Sequence, residues 1–300
     1  MNPDLVLLGN LLVDDVVLPD GRTRLGAAGG AVLHAALAAR LWEVRTGIVS
    51  WAGDDYPRAT LDELAARGVD LAGVQALGQP GGRAWLLYEG RHRRLLHHLE
   101  RPSHAEVSPG PAQVPSAWHK ARAYHLAPMP FESQKALATN LARCDGALVS
   151  LDPHHPLSAD SLPAWRELLE HVDCLFLGQD EMQLLAPDEP PRARLEDLAQ
   201  GRLRWVVFKR GSRGGLLYDA RERRFHEWPA PGPQAVDPTG AGDAFAAGFL
   251  AGWLASRDVV TALQQAVVSA SFAVADWGAD GLLAGSPDAA RERRRAWFDG

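Results

Sequence analysis

The 300 residues predict an α/β fold: a central, mostly parallel sheet flanked by helices, with a small β-sheet lid. Three observations carry that prediction. Short apolar runs alternate with helical stripes along most of the chain, an order that covers both faces of a parallel sheet. Two segments, Val13 to Arg24 and Arg83 to Leu99, interrupt the rhythm without any helical stripe and read as strands of a second, projecting sheet. The length, with 46% hydrophobic and 23% charged residues, suits one main core rather than several modules.

Taken in order, Leu5 to Leu8 before Gly9 is a buried first strand. Ala31 to Leu41, rich in alanine and leucine, is a helix, and the run at 44 to 53 is a second strand ending in a turn. Further strands are expected at Arg122 to Leu126, Gly146 to Leu151, Asp173 to Leu177 and Trp205 to Phe208. The second interrupting segment has two apolar arms about a polar tip at Glu89-Gly90-Arg91, so the lid is expected from segments at about 13–27 and 83–100 of one domain spanning 1–300. A sheet projecting beside a pocket can exclude water from it. The alternative is a hairpin with no such role. No fixed-period repeat is present, and P-D-E-P-P-R-A-R at 187–194 is a short loop.

The formal net charge of −6 argues against nucleic acid as the main partner. Two cysteines, Cys144 and Cys174, lack the spacing of a zinc site and the density of a disulfide scaffold. The start, M-N-P-D, has no basic region, and no run of about 18 apolar residues suggests a membrane span. The expectation is a cytoplasmic protein that engages neither membrane nor nucleic acid.

The chemistry concentrates in V-D-P-T-G-A-G-D-A-F-A-A-G-F at 236–249. Pro238 restricts its own φ, and Gly240 and Gly242 allow several amides to face one point. Such a nest, opening into a helix expected at Ala244 to Ala255, binds anions through its dipole and unpaired donors. Asp243 at that helix start has two readings: a cap, or a general base beside a bound phosphate. Capping alone does not require the glycines. Phe245, Phe249 and Trp253, spaced four apart, form one helix face and read as core.

D-P-T-G-A-G-D-A-F-A-A-G-F at 237–249 resembles the C-terminal signature of the ribokinase, or PfkB, family of carbohydrate kinases. Gly9, Asp14 and Gly29-Gly30, with the helix G-G-A-V-L-H-A-A-L-A-A-R-L, are similar to that family's sugar-binding region. W-A-G-D-D at 51–55, L-D-P at 151–153, G-Q-D-E at 178–181 and V-V-F-K-R-G-S-R-G-G at 206–215 follow in the family's order, so the resemblance covers nearly the whole chain. It implies a ribokinase-like fold and ATP-dependent phosphorylation of a sugar hydroxyl. Asp243 is then the base, with the Gly240, Ala241 and Gly242 backbone as anion hole. It further implies substrate contacts from Asp14, Gly29, Gly30 and His34, and ATP contacts from Lys209, Gly211, Gly214, Thr239 and the region of Ala266 to Gly278. Mg²⁺ would be held through Glu181, and lid edges of two subunits could pair in a homodimer.

Two departures stand out. His34 replaces the family's usual sugar-contacting asparagine, which leaves the substrate open between a sugar and a nucleoside. Gly178 replaces the asparagine of the metal motif and leaves Glu181 alone there; together the two losses also suit a catalytically silent sugar or nucleotide sensor. Intact Asp243 favours an enzyme. Of the acidic pair Asp14 and Asp15, Asp14 is expected at the substrate. Asp152, His154 and His155 have metal-ligand chemistry, but adjacent histidines on a loop seldom converge on one ion. Arg91, Arg93, Arg94, His97 and His98 read as a solvated hairpin face rather than a phosphate site.

Overall fold

Apolar residues alternate between the two faces of the central strands, and each face has its own core. The structure, a computed structural model, describes residues 2–89, 92–155, 157–185, 189–232 and 235–299. Strand β1 (Leu5–Leu8) sends Leu5 and Leu7 into one core and Val6 and Leu8 into the other, as a period of two dictates. The chain continues through β2 (Leu12–Val17) and β3 (Thr23–Gly29), then enters α1 (Ala31–Arg40) and returns as β4 (Thr46–Ala52) beside β1. Helix α2 (Arg58–Ala66) and strand β5 (Val69–Ala76) complete that edge. Strands β6 (Arg83–Glu89) and β7 (His92–His97) leave the main sheet, and β8 (Ala123–Leu126) rejoins it on the other side of β1.

The alternation is then regular: α3 (Phe131–Leu141), β9 (Leu148–Leu151), α4 (Leu162–Leu169) and β10 (Cys174–Leu177). It continues with α5 (Gln179–Leu185), α6 (Pro191–Leu198) and β11 (Trp205–Lys209). Strands β12 (Gly215–Asp219) and β13 (Arg224–Trp228) form an antiparallel edge. The chain ends in α7 (Ala241–Ser256), α8 (Val259–Ala273), α9 (Asp280–Ala284) and α10 (Pro287–Phe298). The order across the main sheet is β13-β12-β11-β10-β9-β8-β1-β4-β5. Its seven strands from β11 to β5 run parallel. Helices α1, α7 and α8 cover one face; α3, α4, α5 and α6 cover the other.

Helix α7 is apolar all round because it lies between the sheet and α8, with every residue from Ala244 to Leu254 buried. Phe245, Phe249 and Trp253 pack as core: Trp253 and Phe249 set their rings edge-on to Trp205 at 4.6 and 5.6 Å, and Phe245 stacks on Trp228 at 5.2 Å.

The main strands are shorter than expected, beginning at Thr46, Ala123, Leu148 and Cys174. Asp173, expected within β10, instead stands before it and uses its carboxylate to accept from the Val149 N–H at 2.8 Å and from Arg202 Nε and Nη2. The strands β5, β12 and β13 went beyond the expected set. Of these, β5 and β13 lie at the sheet edges, where exposed and half-buried positions blur the apolar signal; β12, between β13 and β11, is fully buried.

The two segments without helical stripes form a second sheet, in the order β3-β2-β6-β7. Its hairpin arms are β6 and β7; Gly90 and Arg91 of the expected tip lie outside the described residues. The sheet is pinned by Asp15, which is fully buried. The Asp15 carboxylate accepts Arg83 Nε and Nη2 at 2.7 and 2.8 Å and the Gly26 amide at 2.8 Å, with His98 Nε2 at 3.1 Å. Burial pushes its pKa up, but the Arg83 and Gly26 hydrogen bonds and the Arg83 charge outweigh burial and hold it below the usual value. Asp15 is thus a structural anchor of this sheet, distinct from its neighbour Asp14. Among the described residues, no helix is long and apolar enough to cross a membrane.

His125 in β8 is fully buried, with its Nδ1 bonded to Ser150 Oγ at 3.0 Å. Burial, then the Lys209 charge, drive its pKa from 6.5 down to about 3. Between those values the unfolded chain binds a proton that the folded chain refuses. His125 therefore subtracts stability as pH falls from about 6.5 towards about 3, by up to about 1.4 kcal/mol per pH unit. His125→Leu should flatten the stability-versus-pH curve by that slope, read from urea unfolding between about pH 6 and about pH 4. An unchanged slope would show that the imidazole does not titrate on unfolding.

Candidate active site

In an open α/β sheet, ligands bind beyond the carboxyl ends of the parallel strands, where loops and helix N-termini converge. Here those ends deliver Asn10 after β1, Pro128 after β8, Asp152 after β9, Gly178 after β10 and Lys209 at the end of β11. The second sheet faces the same edge. Between them lies a cavity whose wall includes Asp14, Gly30, His34, Thr239, Gly240 and Asp243. Leu86 and Leu95 of the second sheet also line it. A second groove, beside β13, is lined by His226, Trp228, Leu263 and Phe298.

The glycine-rich turn owes its shape to Asp237, fully buried, which the sequence reading passed over. One of its oxygens accepts the Thr239 amide at 2.9 Å and the Thr239 hydroxyl at 2.6 Å; the other accepts the Gly278 amide at 2.9 Å. With its own proton given to Asp237, Thr239 Oγ1 is an acceptor for the Tyr88 hydroxyl, 2.8 Å away, so a strand of the second sheet is tied to the turn. Gly240 adopts φ 73°, ψ 0° and serves as the N-cap, so α7 begins at Ala241 rather than at the expected Ala244. Asp243 therefore lies inside the first helical turn. The Ala241 amide donates to the Pro238 carbonyl at 3.3 Å and the Ala244 amide to the Gly240 carbonyl at 2.9 Å. Of the expected anion-hole amides, that of Ala241 is thus engaged within the turn, and the Gly242 and Asp243 amides are the donors that a helix start leaves to an outside acceptor.

His34 packs directly on this turn. A Cβ on Gly240 would stand 2.1 Å from His34 Cδ2, so the ring and the left-handed glycine require each other. His34 Nδ1 lies 3.1 Å from the Gly30 carbonyl, an acceptor only, so Nδ1 carries the proton and Nε2 presents a lone pair. That Nε2 is buried and has no hydrogen-bond partner among the described residues. Gly30, at φ 99°, turns the chain from β3 into α1, and a Cβ there would strike the Asn10 carbonyl at 2.2 Å. Gly29 leaves the space filled by the Asp14 carboxylate, whose Oδ2 would lie 1.8 Å from a Gly29 Cβ.

Lys209 turns inward and is mostly buried. Its ammonium makes a short ion pair with Asp152 and lies 3.2 Å from where a Gly242 Cβ would be. Burial lowers its pKa, yet the charge and hydrogen bond of Asp152, then the charges of Asp243 and Glu181, overcome this and raise it. The lysine is therefore charged and surrounded by three carboxylates. Glu181 Oε2 accepts the Gly178 amide at 2.8 Å, and burial followed by the nearby Asp152 charge raises its pKa. A Cβ at position 178 would sit 2.5 Å from that same oxygen, so glycine in place of asparagine makes room for the Glu181 carboxylate. Gly211 and Gly214, both at positive φ, shape the turn after β11. Gly214 backs onto Trp228, whose carbonyl would meet a Cβ at 1.9 Å.

His154 and His155 diverge, as expected of neighbours on a loop: the His155 ring is tilted towards Phe131. His154 instead joins His97 and His104 on the cavity wall. That grouping was invisible in sequence because the three residues are separated by 7 and 50 positions. Nor did any local pattern single out Asn10, whose Nδ2 donates to Ser108 Oγ at 3.1 Å. Of the basic run, Arg94 faces Glu89 at 3.7 Å with both side chains exposed, and His98 turns to Asp15. Arg91 lies outside the described residues.

The sequence profile described as pfkB family carbohydrate kinase matches residues 4–283. The chain belongs to this family. It is an ATP-dependent phosphotransferase, a kinase of the class that acts on sugars or nucleosides. The kinase is 31% identical over 284 residues to the cytidine kinase of Thermococcus kodakarensis, covering 92% of this chain and 97% of the relative. It is 30% identical over 266 residues to the ATP-dependent ribose-1-phosphate kinase of Halopiger xanaduensis, covering 85% and 84%. The fold matches that of fructokinase with bound ATP from Xylella fastidiosa, with a TM-score of 0.78 at 19% identity over 99% of this kinase and 100% of that chain.

Gly240→Ala should cost about 1–2 kcal/mol for the left-handed backbone alone, plus the displacement of His34. Urea unfolding at neutral pH reads that loss; a change below about 0.5 kcal/mol would mean that the turn and the ring are not coupled.

Proposed function

We propose that this kinase transfers the γ-phosphoryl group of ATP to a hydroxyl of a nucleoside, with Asp243 as general base. The observation that carries the reading is that Asp243, in the first turn of α7, faces the same cavity as Asp14 and His34. A carboxylate beside a helix N-terminus can take a proton from a hydroxyl while neighbouring amides accept the charge of the incoming phosphoryl group. Asp14 and the His34 Nε2 lone pair are acceptors suited to sugar hydroxyls. Leu12, Leu86 and Leu95 add apolar surface to the cavity, which favours a flat ring attached to the sugar over a free sugar. The 31% identity to a cytidine kinase supports the same choice.

In the transfer, the substrate oxygen attacks the γ-phosphorus and gives its proton to Asp243. The bond from that phosphorus to the bridging oxygen breaks, and its electron pair leaves with ADP. Position and charge stabilisation carry most of the catalysis. The Gly242 and Asp243 amides would receive the transferring group, with the Lys209 ammonium behind them. The turn at Gly211 and Gly214, with Thr239, would border the nucleotide. The second sheet would cover the substrate, held to the turn by Tyr88 and Thr239.

The residues present fit Mg²⁺: Asp152, Glu181 and Asp243 bring three carboxylates to one ammonium, and oxygen is the donor that this ion prefers. Glu181 and Asp152 would hold it, directly or through water. When bound, it would neutralise phosphate charge.

Asp243→Asn should keep the fold and ATP binding and lose about 10²–10⁴ in kcat. The check is ATP consumption with Mg²⁺ against nucleosides, ribose 1-phosphate and free sugars. Near-normal turnover in the variant would remove Asp243 as base, and turnover of free sugars alone would overturn the nucleoside assignment. His34→Ala should raise KM for the preferred acceptor about tenfold, the worth of one hydrogen bond, with little change in KM for ATP. An equal rise in both would place His34 in folding rather than in acceptor binding.

A further inference from the structure

Three histidines from separate parts of the chain converge on the cavity wall: His97 on β7, His104 in the segment that follows the second sheet, and His154 in the loop after β9. One ring nitrogen from each lies within 4.8 Å of the other two. The His104 ring stands 4.9 Å from His97 and 4.4 Å from His154, centroid to centroid. Among the described residues, His97 Nε2 and His104 Nδ1 are buried with no hydrogen-bond partner, a costly state for groups that can donate or accept.

We propose that His97, His104 and His154 form a binding site for a late first-row divalent cation of the Zn²⁺ type, which latches the second sheet to the main sheet. The donor set decides the class of ion. Three imidazoles suit Zn²⁺, Co²⁺ or Ni²⁺, whereas Mg²⁺ prefers oxygen, so this site is distinct from the carboxylates around Lys209. Three protein ligands leave a fourth position for water, as in open zinc sites.

The geometry is within reach. Zn–N bonds of about 2.0–2.1 Å in a tetrahedron put ligand nitrogens about 3.4 Å apart, so each pair closes by at most about 1.4 Å, which small side-chain rotations supply. The latch follows from where the ligands sit. His97 belongs to the second sheet and His154 to the loop at the end of a main-sheet strand, so one ion bonded to both holds the two sheets together across the cavity.

The test is Zn²⁺ titration calorimetry on tag-free protein in Mg²⁺-containing buffer without nucleotide or acceptor, with Co²⁺ absorption as a second readout. We expect one ion per chain and the visible spectrum of four-coordinate Co²⁺ with nitrogen donors. His154→Ala, at an exposed position that should not disturb folding, should weaken binding about 100-fold or more, since even groups that only support a ligand cost about 10- to 100-fold. His104→Gln should do the same, and His155→Ala should leave affinity unchanged. No stoichiometric binding to the native protein, equal affinity in the native and His154→Ala proteins, or a six-coordinate Co²⁺ spectrum would overturn the proposal. Because no phosphotransfer is measured, failure here leaves the kinase reading intact, and loss of the nucleoside reading leaves this one intact.

Discussion

An ammonium group buried at the end of a central strand can stay charged only if opposite charges surround it, and Lys209 has that company in Asp152, Asp243 and Glu181. Each of those carboxylates is supplied by a different element: the loop after β9, the first turn of α7 and the first turn of α5. The parallel sheet brings them together by ending its strands at one edge. Their mutual repulsion is tolerable because the lysine sits among them. The same constraint accounts for Gly178, since the Glu181 carboxylate folds back onto its amide and occupies the space where a side chain would begin.

A second constraint is the left-handed residue at Gly240. It lets α7 start where the His34 ring rests on the backbone, and it sets Asp243 in the first turn rather than ahead of it. Asp237 holds this turn from beneath and Tyr88 from the second sheet. Asp14 and Asp15 then divide their work by strand alternation: successive side chains of β2 point to opposite faces, so one meets the cavity and the other is buried under Arg83. The Tyr88–Thr239 contact thereby ties the second sheet to the glycine turn.

Much of the fold was legible in the sequence because period-two and period-3.6 patterns report burial directly. Leu5 to Leu8 and Ala31 to Leu41 were read nearly to the residue. Strand ends were less so: Asp173 fits the apolar run that follows it but stands before β10 and spends its carboxylate on Val149 and Arg202. The family's glycine turn was also legible, since Gly240, Gly242 and Asp243 lie within four residues. Asp237 was in plain view in the same stretch, but its role depends on Gly278, some forty residues away.

By itself the sequence determined the α/β class, the two-sheet division and the turn carrying Asp243, because each is encoded by neighbours a few residues apart. Only the tertiary structure decided that Lys209 turns inward to Asp152, that His34 is seated on Gly240, and that His97, His104 and His154 meet. Those contacts join segments tens to hundreds of residues apart, and their partners are chosen by the order of strands in the sheet, which no local pattern records.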